Sequence, residues 1–288
     1  VSEETYNMIN YYLLTKPGIV MGNLITVAAG FLLATQGAFN FWLFFATLLG
    51  LSLVMASACV FNNFIDRSVD QKMKRTQNRA LVKELISGRN ALVFASLIGL
   101  SGFLMLLYYT NFLTLTIAAV GFFVYVVLYS MWKCRTIYGT AIGSIAGAVP
   151  PVVGYCAVSN TFDMGAVILF AIMVLWQMPH FFSIALYHLH DYTAASIPVF
   201  PVKKGTYQTK KRMVIYILGF IMATLLLTVF HYTGYIYLIL AITLGLAWLI
   251  LCLKGFKSDN DQKWARHMFR LSLVVITILS LTIPFDSL

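Results

Sequence analysis

Asn62, Asp66 and Asp70 stand four residues apart. That spacing lines three oxygen-bearing side chains along one face of an α-helix. They close a run of about twenty apolar residues, where a membrane-spanning helix would reach the aqueous boundary. Two carboxylates in the last turn face the negative end of the helix dipole, a cost that a bound cation removes. The cations Lys72, Lys74, Arg75, Arg79 and Lys83 follow at once. Oxygen ligands for a hard divalent ion, then cations for an anion, are what a magnesium–diphosphate site requires. A single Asp would only mark the interface. An Asn and two Asp in i, i+4, i+8 register at the end of a span point to metal. Arg75 and Arg79 are four apart and can face the same site, where guanidinium forks suit phosphate oxygens.

Two further constellations carry polar chemistry in apolar surroundings. Tyr125, Tyr129 and Lys133 repeat the four-residue spacing at the end of another span. They read either as interfacial aromatics with a snorkelling Lys or as an arm that brings Lys133 to the diphosphate. Trp176-Gln177-Met178-Pro179-His180-Phe181-Phe182 places Pro179 inside a span, freeing the carbonyl of Leu175. His180 reads as a hydrogen-bonded core residue or as a contact to substrate. Asp191 is eleven residues on, close to three turns, so one continuous helix would point both the same way. The glycines between Gly139 and Gly154 favour close helix packing. The pair Pro150-Pro151 predicts a helix break.

The elements that position these residues are membrane spans. Of 288 residues 60% are hydrophobic and 10% charged, far below the usual charged share of about a quarter. Apolar segments fall at about 17–36, 41–63, 91–109, 112–132, 137–158, 164–188, 213–230, 234–253 and 270–285, each near the length needed to span. The reading is all-α, a polytopic protein of nine transmembrane helices in the lipid bilayer, with residues 1–288 forming one domain. Numbering the connections alternately, all 20 Lys and Arg fall on one side, and short links without Lys or Arg such as Gln36–Asn40 and Ser159–Asp163 on the other. The positive-inside rule puts that basic side, and the N-terminus, in the cytoplasm. It also accounts for the net charge of +10 without a nucleic-acid partner. Connections of about 64–90 and 189–212, after spans two and six, are long enough to be functional, and hint at a weak internal repeat. Residues Val1–Lys16 read as neither a secretory signal nor a transit peptide, which favours a bacterial inner membrane with a site facing the cytoplasm. Cys59, Cys134, Cys156 and Cys252 lack ligand spacing and read as reduced packing residues.

Taken together, Asn-x3-Asp-x3-Asp after the second span, nine helices and an acidic site after the sixth resemble the UbiA superfamily of intramembrane prenyltransferases. Within it, Arg75-Thr76-x-Asn78-Arg79, Tyr129-x3-Lys133, Gly143-x3-Gly147-Ala148-x-Pro150-Pro151, Trp176-Gln177-Met178-Pro179-His180-Phe181 and Asp191-Tyr192-x2-Ala195 look like the protohaem IX farnesyltransferase (haem O synthase) branch. The resemblance implies helices around a central lateral cavity, with Mg2+ as cofactor and farnesyl diphosphate and haem B as substrates. Asn62, Asp66 and Asp70 would hold the metal. Arg75, Arg79, Lys133 and Lys74 would bind diphosphate. Asp191 would join the catalytic carboxylates and, with His180 and Tyr129, contact the haem acceptor. A terminal oxidase assembly or haem A synthase is a candidate physical partner. Two departures stand out: the second Asp-x3-Asp of other branches is here Asp191-x3-Ala195, leaving one carboxylate, and Ala80 and Phe200 replace an expected Pro and Leu. A quinone-ring precursor or chlorophyllide as acceptor, or a transporter of haem or anionic lipid, stays open on the residues alone.

Overall fold

The computed structural model describes residues 3–287, with side chains from residue 8 onward; Val1, Ser2 and Leu288 lie outside the described residues. A short helix α1 (Glu3–Leu14) precedes the first span, α2 (Pro17–Thr35). Then come α3 (Phe41–Asp70), α4 (Gly88–Tyr109), α5 (Phe112–Trp132), α6 (Gly139–Ser159) and α7 (Met164–Tyr187). After the short α8 (Leu189–Ala194) follow α9 (Phe200–Val229), α10 (Tyr235–Lys254) and α11 (Asp261–Asp286). Nine helices among the described residues, all but α1 and α8, are long and apolar enough to cross a membrane. Consecutive spans pack on one another, and α11 returns onto α2.

Three of the short links that lack Lys and Arg end in a side-chain cap. Asn40, Asn111 and Asp163 accept from the backbone N–H of Leu43, Thr114 and Gly165 at 3.0, 2.9 and 2.9 Å. These bonds satisfy N–H groups that the first helical turn leaves without intrahelical partners. Between helices, small residues set the spacing. A Cβ at Gly30 would strike the carbonyl of Pro151, and one at Gly154 that of Val27, so α2 and α6 approach backbone to backbone.

The structure departs from the sequence reading at several places. Helix α3 continues through Asp70, seven residues beyond its apolar segment, because its polar last turns are buried by other parts of the chain. The last two long helices on the basic side also start earlier, at Phe200 and Asp261. There amphipathic first turns extend the span, with Gly205 non-helical at φ 79°. The two long connections are therefore partly helical: only residues 71–87 of the first lie between helices, and the second carries α8. Helix α6 does not break at Pro150-Pro151; it runs unbroken from Gly139 to Ser159, held against α2 at Gly30 and Gly154. His180 and Asp191 do not share a helix face. Helix α7 ends at Tyr187, and the turn at His188 (φ −107°) resets the register before α8.

Candidate active site

The last turns of α3 put Asn62, Asp66 and Asp70 on one buried face, and a cation from a different part of the chain meets each. Lys16 Nζ donates to Asn62 Oδ1 at 2.7 Å. Lys133 Nζ pairs with Asp66 Oδ2. Arg79 Nη1 pairs with Asp70 Oδ2 at 2.6 Å. Asn62 Nδ2 also donates to Ser130 Oγ at 3.2 Å, with the Tyr125 hydroxyl 3.5 Å from Asn62 Oδ1. The Thr76 hydroxyl donates to the Asp70 carbonyl at 3.0 Å, satisfying a carbonyl at the C-terminus of α3.

Lys16 was legible in the sequence only as a topology charge. Its backbone is left-handed (φ 51°), turning the chain from α1 into α2 with Pro17 at the first helical position. Asn63 Nδ2 holds this turn by donating to the Leu14 carbonyl at 2.8 Å. Burial pushes the Lys16 ammonium down to about 8. The signal was a single Lys-Pro at the head of the first span, but its partner lies 46 residues away.

On the opposite wall Tyr125 and Tyr129 stack with centroids 5.5 Å apart and 12° between planes, and Lys133 Nζ lies 5.3 Å from the Tyr129 ring. The segment Val124–Tyr129 is π-helical, a widened turn that often marks functional sites. Gly143 of α6 makes room for the Tyr129 ring.

Residues 71–87 and α8 meet over this site through an apolar seam. Val69 and Met73 pack against Tyr192, Ala195, Ile197 and Val199. Arg75 and Lys74 are exposed. Arg75 neighbours Tyr192, whose phenol burial pushes up against the pull of that guanidinium. Asp191 pairs with His188 Nδ1 at 3.7 Å. Burial, joined by the Arg75 charge, lowers the His188 pKa against the pull of Asp191. Ala195, the position of the missing second carboxylate, is buried in the seam against Met73.

His180 lies deeper, between α7 and α11. Its ring stacks on Trp176 (4.6 Å, 23°) and meets Phe269 at 5.0 Å. Nδ1 lies 2.7 Å from Ser272 Oγ, whose hydroxyl donates to the Phe269 carbonyl at 2.6 Å. With that proton committed, Nδ1–H is the donor to Ser272, and Nε2 keeps its lone pair.

Among the described residues no three His, Cys, Asp or Glu side chains gather into a metal cage. Two buried carboxylates and an amide oxygen instead fit a small hard ion that keeps part of its coordination open.

Residues 23–274 match the UbiA prenyltransferase family. The chain is 63% identical over 280 residues to the protoheme IX farnesyltransferase of Protochlamydia amoebophila (strain UWE25), covering 97% of this chain and 99% of that one. It is 54% identical to the protoheme IX farnesyltransferase of Sodalis glossinidius (strain morsitans), covering 97% and 95%. In fold it resembles a structure of digeranylgeranylglyceryl phosphate synthase (TM-score 0.80, 17% identity, 97% and 98% covered). It also resembles a UbiA homologue from Archaeoglobus fulgidus bound to GPP and Mg2+ (TM-score 0.68, 13% identity, 96% and 99% covered). A match of this length, on a chain that also carries the buried Asn62, Asp66 and Asp70 row, places the protein in the UbiA prenyltransferase family.

Proposed function

We propose that this protein transfers the farnesyl group of farnesyl diphosphate to a vinyl group of haem B, with addition of water, giving haem O and diphosphate. The acceptor is read from the curated relatives, which share 63% and 54% identity over nearly the whole chain. The observation that carries the chemistry is the buried row Asn62, Asp66 and Asp70 with a cation at each member.

In this reading Asn62, Asp66 and Asp70 would hold Mg2+, which supplies positive charge for the diphosphate oxygens when bound. Binding turns Lys16, Lys133 and Arg79 from the protein's own oxygens toward the substrate's, and Arg75 and Lys74 add charge from the solvent side. Together they stabilise the negative charge that grows as the bond from farnesyl C1 to oxygen breaks and its electron pair leaves with diphosphate. The terminal vinyl carbon of haem bonds to C1, leaving a cation on the vinyl carbon next to the porphyrin. Water adds there and loses a proton. Tyr125 and Tyr129 present ring faces beside this path and shield the cation. Asp191, next to His188 above the seam, and Tyr129 would flank the acceptor, and His180 would meet its edge through the imidazole ring.

The fold then serves as a bacterial inner-membrane enzyme with its basic end in the cytoplasm. The farnesyl tail would lie among the spans in a lateral cavity, and a terminal oxidase assembly or haem A synthase would take the product. The test is the product formed by purified protein given haem B, farnesyl diphosphate and Mg2+. A haem heavier by one farnesyl group plus water, lost with chelator, supports the reading. Unchanged haem with Mg2+-dependent diphosphate release on adding a phenolic acid overturns the acceptor.

A further inference from the structure

Gln177 is buried on α7, and its Nε2 has no hydrogen-bond partner among the described residues. An unpaired donor in such a place costs about 1–3 kcal/mol, so a side chain kept there calls for a reason. Three features surround its amide. It lies against Gly147 of α6 so closely that a Cβ there would strike it. The Gly147 carbonyl lacks an α-helical N–H, because the residue four on is Pro151. His180, three residues on along the same face of α7, has no partner for Nε2 among the described residues. An amide and an imidazole nitrogen thus stand one turn apart on one face of α7, and the residue that the amide touches has a freed carbonyl. That is the set of two to four polar partners a buried water needs.

The level in the membrane is also right. Gly143 packs on Tyr129, beside the Lys133–Asp66 pair, and Gly147 is one turn further along the same helix. The Gln177 amide therefore lies about 6 Å deeper than the Tyr129 ring. The carbon bonded to a departing diphosphate, and the acceptor carbon beside it, belong at that depth.

We infer that Gln177, in the space left by Gly147, holds the water that captures the porphyrin-side cation, with His180 Nε2 taking its proton. This rests on the acceptor reading given above. In the step, a lone pair of the water oxygen forms the C–O bond to the cationic carbon. The O–H pair stays on oxygen, and the proton passes to His180 Nε2 and then to the diphosphate or solvent. Without a held water the same cation loses a proton from the neighbouring carbon, giving an alkene lighter than the alcohol by one water.

The readout is therefore the ratio of hydroxylated to dehydrated farnesyl haem, whatever the overall rate. It is measured by mass on purified protein with haem B, farnesyl diphosphate and Mg2+ in 18O-labelled water. Gln177→Leu removes the amide, and Gly147→Ala displaces it through a contact with a flexible side-chain end. Both are expected to shift the ratio toward the alkene by about tenfold. Gln177→Glu, buried and protonated, keeps a donor and an acceptor and should retain the labelled alcohol. Wild-type ratios in both Gln177→Leu and Gly147→Ala would overturn the inference. Should one of them fail to fold, a wild-type ratio in the other does so alone. A wild-type protein that makes no farnesyl haem would instead remove the acceptor reading.

Discussion

Replacing Lys133 by Met separates two effects that act in opposite directions. Lys133 pairs with Asp66, and the two side chains are only 15% and 8% exposed. At an effective dielectric of about 20 such a pair attracts by roughly 4 kcal/mol. Most of that is offset by lost hydration, leaving about 1–2 kcal/mol that Mg2+ must overcome to reach the carboxylate. Lys133→Met removes this competitor, so the midpoint of Mg2+-induced thermal stabilisation in detergent should fall by roughly tenfold. The same change removes a cation from the departing diphosphate, and prenyl transfer should fall by about a hundredfold or more. Tighter metal with slower chemistry is the signature. A midpoint that rises or stays fixed, with turnover within a few-fold of wild type, would refute the idea that the ammonium exchanges one oxygen for another.

Asp66→Asn and Asp70→Asn should each abolish turnover while the protein still inserts and purifies as a single species; near-normal product in either would remove the metal assignment. His180→Ala should weaken the haem difference spectrum and slow haem prenylation while leaving the Mg2+ midpoint in place, which titration of both ligands on one preparation would check. Lys210 is buried, donates to the Gly255 carbonyl at 2.6 Å and pairs with Asp261, so Lys210→Met should lower stability by roughly 2–3 kcal/mol without moving the Mg2+ midpoint. Gly154→Val drives a side chain into the Val27 carbonyl and should cost about 3 kcal/mol, read as an earlier melting transition.

What the sequence disclosed is what repeats along a helix. Asn62, Asp66 and Asp70 were readable because a helix repeats nearly every four residues, and the spans because a bilayer demands a fixed apolar length. Arg79 and Lys133 follow from those frames, as cations at the ends of elements that share one face of the membrane. Contacts across the bundle were not readable. Lys16 reaches Asn62 over 46 residues and His180 reaches Ser272 over 92, and no local pattern specifies either meeting. The expected alignment of His180 with Asp191 failed for a local reason, since it assumed a helix that in fact ends at Tyr187. The π-turn at Val124–Tyr129 left no mark in residue type, because it depends on packing against α6. Ala195 was readable as a missing ligand, but not as an apolar contact on Met73.

The pairing of each member of the α3 row with a cation has an electrostatic consequence for substrate admission. Two carboxylates, Asp66 and Asp70, stand with three cations, Lys16, Lys133 and Arg79, so the inner site carries an excess of a single positive charge before anything binds. A prenyl diphosphate complexed with one Mg2+ carries about one net negative charge, so that ligand brings the enclosed region to neutrality while the metal or the diphosphate alone would not. In a low-dielectric membrane protein an unbalanced charge is the costly state, so on the proposed function the site would favour the two as one unit. After transfer the diphosphate would no longer be tethered to a lipid-soluble tail, and the same balance would let it leave toward water as a complex.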